Sequence, residues 1–182
     1  MREVDRRIAF DRRRFLHGVA VIPPAVAVAA RVGLPVGTAW ADTAKALQPG
    51  TMQTLARMAR DIYPHDHLSE LYYIAAVATW DTKAAKDDAV KALVEGGVAR
   101  LDQDAQDRHG SAYIAVAAED DRTALLRGIE ETAFFKKLRA DLVVSLYNQH
   151  DLWPLFGYEG SSADKGGYIH RGFDDIDWLP GV

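Results

Sequence analysis

Histidine and carboxylate side chains carry most of the possible chemistry of this 182-residue chain, which has six histidines and no cysteine. The densest group is His65-Asp66-His67, with His150-Asp151 far along the sequence. Imidazole and carboxylate together are donors for zinc or another divalent transition metal. Alternate residues of an extended loop point to opposite sides, so His65 and His67 share one ion only if the loop bends. The plainer reading makes them solvated or capping residues of a loop. Glu130-Glu131 and Asp174-Asp175 are adjacent acids, expected on a helix surface and in a turn. Acid–base catalysis needs two carboxyl groups in different environments, which adjacency alone does not supply.

Other signatures are absent from the sequence. There is no Gly-x-Gly-x-x-Gly or Walker-type loop to cradle a nucleotide or flavin, no Gly-x-Ser-x-Gly elbow and no His-Glu-x-x-His. The Glu-x-x-His pairs of di-iron bundles are missing too. Without cysteine there are no disulfides, thiolate zinc sites, iron–sulfur clusters or Cys-x-x-Cys-His haem attachment.

The elements that hold these residues read as helical. Met52, Leu55, Ala59 and Ile62 recur at helical spacing after Pro49-Gly50, which reads as the close of a lead-in. Pro64 ends this helix. After the histidine loop, Asp66 or Ser69 caps a second helix through Leu71, Tyr72, Ala75, Ala78 and Trp80. A third spans Asp87 to about Arg108, with Gly96-Gly97 marking a kink or a close helix contact. Tyr113 to Ala117 reads equally as strand or buried helix. Asp120 and Asp121 open a fourth helix, and Phe134, Phe135, Leu138, Leu142 and Leu146 form the apolar face of a fifth. The expected fold is all-α, a bundle of about five helices over residues 42–150.

Residues 151–182 differ in character. Trp153, Phe156, Tyr158, Tyr168, Phe173 and Trp178 are interspersed with six glycines and two prolines. Such a segment is an irregular tail held by large side chains. It either wraps its own bundle or docks on a partner, since Tyr and Trp are favoured interface anchors.

The first 41 residues pass from basic to apolar to small, the order of an export signal. Arg12-Arg13 followed by Phe15-Leu16 resembles the twin-arginine motif, and Ala39-Trp40-Ala41 fits a signal-peptidase site. The apolar run is too short for a membrane span and is interrupted by Pro23-Pro24 and Arg31. Cleavage after Ala41 leaves residues 42–182. It removes seven Arg and three acidic residues from 22 basic and 26 acidic, leaving 15 against 23, a net −8. A chain this acidic, with no basic stripe, is not built for nucleic acid. The expected location is the periplasm, reached through the twin-arginine translocase, which carries folded cargo.

A twin-arginine leader, an opening helix ending in Asp61-Ile62-Tyr63-Pro64, the Phe134-Phe135 helix reaching Tyr147, and a tail closing in Trp178-Leu179-Pro180 resemble the gluconate 2-dehydrogenase subunit 3 family. The likeness implies the small subunit of a periplasmic dehydrogenase whose FAD sits on a large subunit of the glucose–methanol–choline class. A cytochrome c subunit often completes such complexes. The resemblance implies that the small subunit provides the export signal and supports maturation of the flavin subunit, and that it has no catalytic residues. Two features depart from the pattern. His65-Asp66-His67-Leu68 stands where members often carry Pro-Gly-Ala, and the glycine–aromatic order of the tail is altered. The expected function is therefore a non-catalytic accessory subunit that holds no cofactor or metal of its own. Its rivals are an independent metal enzyme using His65, His67 and His150, and a free-standing periplasmic binding protein.

Overall fold

Pro49 opens the first helix instead of closing the lead-in: it occupies the first turn, where its missing N–H costs nothing. In the computed structural model, which describes residues 38–170, this helix α1 spans Pro49–Ile62. Met52, Leu55, Met58 and Ala59 form its buried stripe, and it stops at Tyr63, whose N–H bonds to Ala59 O just before Pro64. Ser69, not Asp66, caps α2 (Glu70–Ala84), its hydroxyl accepting from the Leu71 N–H. Apolar residues surround α2 on most sides. Tyr73, Ile74, Ala76, Val77 and Trp80 are all buried, as suits a central helix.

Asp87 caps α3 (Asp88–His109), accepting from the Ala89 and Val90 N–H groups. Gly110 closes it with φ of 71°, a left-handed conformation that suits glycine. The expected weakness at Gly96-Gly97 proves to be a close helix contact. A Cβ on Gly97 would lie 2.2 Å from Cγ of Phe134, so α3 approaches the last helix where a side chain is missing. Three acids, Glu119, Asp120 and Asp121, occupy the first turn of α4 (Glu119–Gly128), where the helix dipole favours negative charge. Thr132 caps α5 (Ala133–Tyr147). Phe134, Leu138, Leu142 and Leu146, one turn apart, bury the inner face of α5.

The fold is all-α. Among the described residues, five α-helices and several 3-10 turns pack around one apolar core, with α1 along α2 and α2 along α5. The ambiguous stretch at Tyr113 is neither strand nor α-helix. It is a 3-10 turn, Tyr113–Ala115, and buries the Tyr113 ring. This connection is locked by a buried charge network. Arg122 donates through Nε and Nη2 to both oxygens of Asp61, at 2.8 and 3.0 Å, and through Nη1 to the Val116 and Ala117 carbonyls. Tyr113 donates its hydroxyl to the same carboxylate at 2.7 Å. The Asp61 hydrogen bond, aided by its charge, holds Arg122 protonated, while burial and then Asp61 push the Tyr113 phenol upward.

At the N-terminal end of the described residues, Thr38–Thr43 form a 3-10 turn against α1, with Ala41 wholly buried. The expected start of the helical body at residue 42 falls inside this turn. At the other end the described part of the tail, up to residue 170, contains three 3-10 turns, His150–Leu152, Pro154–Phe156 and Ser162–Lys165, rooted by the fully buried Leu152. Among the described residues no helix is long and apolar enough to cross a membrane.

Candidate functional site

The inner stripe of α5 leaves Val143 and Val144 on the opposite side of the helix, 49% and 61% exposed. Beside them the tail turns back. The Trp153 indole N–H bonds to Tyr147 O at 3.0 Å, and the Tyr158 N–H bonds to Trp153 O at 2.8 Å. Gly157 makes this reversal in the left-handed region, with φ of 69°. Between α5 and the returning tail lies an open groove of about 550 Å³. It is lined by Val143, Val144, Tyr147, Asn148, Trp153, Phe156 and Tyr158, none of them charged. Phe156 and Tyr158 are 41% and 52% exposed. An uncharged hollow with this much exposed apolar surface is the kind of feature that marks a docking face.

The histidine loop forms one end of this face. His65 Nε2 lies 2.7 Å from Tyr147 Oη, and Phe156 sits edge-on to His65, His67 and Tyr147 at centroid distances of 5.1, 5.6 and 5.8 Å. The bend that His65 and His67 need in order to face the same side is present. A turn, closed by the Leu68 N–H on His65 O, brings both rings onto Phe156, 5.9 Å from each other. Arg60 supports the turn by donating to the His65 and Leu68 carbonyls. Burial, then His67 and Arg60, lower the pKa of His65, with Asp66 opposing. A phenol donating to an unprotonated Nε2 satisfies both groups, and burial keeps Tyr147 protonated.

His150 stands apart from that pair in its contacts, stacked on Trp153 at 4.1 Å. Among the described residues no three His, Cys, Asp or Glu side chains gather as a donor set for a metal ion. Glu130 and Glu131 lie in the turn between α4 and α5 and not on a helix surface, and Glu131 pairs with Lys136 at 2.6 Å. They rim a second hollow across Val143, together with Lys136 and Arg139. Of the tail aromatics proposed as partner contacts, Trp153, Phe156 and Tyr158 meet at the groove, and Tyr168 is 64% exposed farther along. Phe173, Trp178 and the second acidic pair, Asp174-Asp175, lie outside the described residues, as do Arg12, Arg13, Phe15 and Leu16 of the leader. Ala39 and Ala41 belong to the first 3-10 turn.

Sequence reasoning missed Val143, Val144 and Tyr147 as members of this face. An adjacent valine pair in an apolar helix shows no side preference until the Phe134–Leu146 stripe fixes which face is inward. No family model, curated protein or solved structure matches this chain.

Proposed function

We propose that this chain is the non-catalytic small subunit of an exported, flavin-dependent sugar or alcohol dehydrogenase. In this reading FAD belongs to a large partner subunit, and this chain has no cofactor and no catalytic residue of its own. It supplies the twin-arginine signal that takes the folded pair to the periplasm, and it stabilises the flavin subunit. A cytochrome c subunit is the further partner the family resemblance implies. The observation that carries the proposal is the uncharged groove between α5 and the returning tail, where four side chains that a lone domain would prefer to bury (Val143, Val144, Phe156, Tyr158) stand exposed together.

Co-expression with the flavoprotein, with and without residues 1–37, tests the export role while leaving the buried Ala41 in place. The flavoprotein is expected in the periplasm only when the leader is present, and equal export in both cases would refute the role. Affinity purification of the intact chain tests the assembly role, with flavin absorbance expected in the purified complex.

A further inference from the structure

The lead-in at residues 40–47 is bound to the helical body along its whole length. Ala41 is 0% and Leu47 4% exposed, and Trp40, Ala44 and Ala46 pack against the core. One carboxylate on α2 holds its second half: Asp81 accepts the N–H groups of Lys45, Ala46 and Leu47 at 2.9, 2.8 and 2.9 Å. Glu95 on α3 takes the next, accepting the Gln48 N–H at 2.8 Å and the Thr51 hydroxyl at 2.5 Å. Four successive amides are thus tied to side chains 34 to 47 residues away. Around the Ala41–Asp42 bond itself the backbone is wound into a turn. The Ala44 N–H bonds to Ala41 O at 3.1 Å, and the Thr43 hydroxyl bonds to Trp40 O at 2.6 Å.

Proteases cut exposed, pliable chain, and a bond packed like this one is reached only through local opening. Opening here means unwinding the turn, withdrawing Ala41 and Trp40 from the core and exposing the acceptors of Asp81. We propose that residues 40–47 are a permanent strap of the folded domain, and that the small-x-small sequence at 39–41 is not a processing site of the folded chain. A leader carried by an already folded domain is then cut N-terminal to Trp40. This refines the leader reading, and only the cellular arm of the test depends on that reading.

The test uses the purified 182-residue chain and pancreatic elastase, which cuts after small residues, with intact-mass readout. Cleavage after Ala41 should be at least about ten-fold slower than in a free peptide covering 36–48, because only the opened fraction is cut. Asp81→Ala, which removes the acceptor of three amides, should accelerate that cut by about ten-fold with helical circular dichroism unchanged. Should the variant lose its helices, hydrogen exchange of the wild-type Lys45, Ala46 and Leu47 amides decides instead, with strong protection expected. Cutting of the folded chain at the peptide's rate, or unprotected amides, overturns the strap. In cells, N-terminal sequencing of the exported protein should find a start at or before Trp40, and a start at Asp42 overturns the proposal. If no chain is exported, the leader reading fails, while the elastase and exchange results still decide the strap.

Discussion

His65 and Tyr147 join the loop after α1 to the last turn of α5, with Nε2 and Oη 2.7 Å apart. Their contact sets the position of Phe156 and so one wall of the groove. Its ionisation behaviour follows from its neighbours. Burial comes first, then His67 and Arg60, and together they outweigh Asp66 and hold His65 below its ordinary value of 6.5. Tyr63 also faces this junction, edge-on to Tyr147 at 5.7 Å between ring centroids. Between the lowered folded value and 6.5 the unfolded chain binds more protons, so stability rises with pH across that window. The contribution of His65 is therefore fully present above about pH 6.5 and is lost as acid takes the pH down through the folded value. Denaturant midpoints measured across this window should fall on acidification for the wild type and fall less for His65→Gln. An identical slope in both would remove His65 as the source.

Asp61 and Arg122 form a bidentate pair with side chains only 3% and 4% exposed. Removing one partner leaves the other charge buried, a loss of roughly 3–5 kcal/mol. Arg122→Ala and Asp61→Ala should each show it in urea unfolding. Arg122→Lys should recover only part, since an ammonium cannot bridge both oxygens and also reach the Val116 and Ala117 carbonyls. Losses under about 1 kcal/mol would show that the pair behaves as a surface ion pair.

Neighbouring glycines of α3 should respond in opposite directions. Nothing lies within 4 Å of a Cβ at position 96, so Gly96→Ala should stabilise by up to about 1 kcal/mol through helix propensity. At position 97 the same methyl meets the Phe134 ring, so Gly97→Ala should cost about 1–3 kcal/mol. Thermal midpoints of the two single variants settle the matter, and a stabilising Gly97→Ala would disprove the close contact.

Val144, the more exposed of the valine pair, separates docking from folding. Val144→Asp should change stability by no more than about 0.5 kcal/mol, because the side chain already meets solvent. It should also abolish co-purification of the flavoprotein. Retained capture would place the docking face elsewhere on the chain.

The helices were legible because their apolar residues keep a period near 3.6, and the inner stripe of α5 could be read residue by residue. What stayed hidden depends on distance along the chain or on a local turn. Tyr113 and Asp61 are 52 residues apart and Arg122 and Asp61 are 61 apart, so nothing in either neighbourhood announces their bond. Tyr113 also escaped assignment because its stretch is too short to show a period. His65 and His67 could come together only if their loop bent, and the turn at Leu68 that bends it has no signature in the residues themselves. Pro49 was misread since proline punctuates both ends of helices, and only the chain that follows tells which. Of the candidate site, the tail aromatics were visible by composition, but their meeting with Val143 and Val144 needed the reversal at Gly157.

Asp81 and Glu95 also decide how the domain bears mechanical load. Tension on the N-terminal end passes through the Lys45–Leu47 amides into α2 and through Gln48 and Thr51 into α3, before it reaches the second turn of α1. The pull is shared between two helices of the core before it loads the rest of α1. A domain drawn by its leading end would keep its shape until several bonds gave way together.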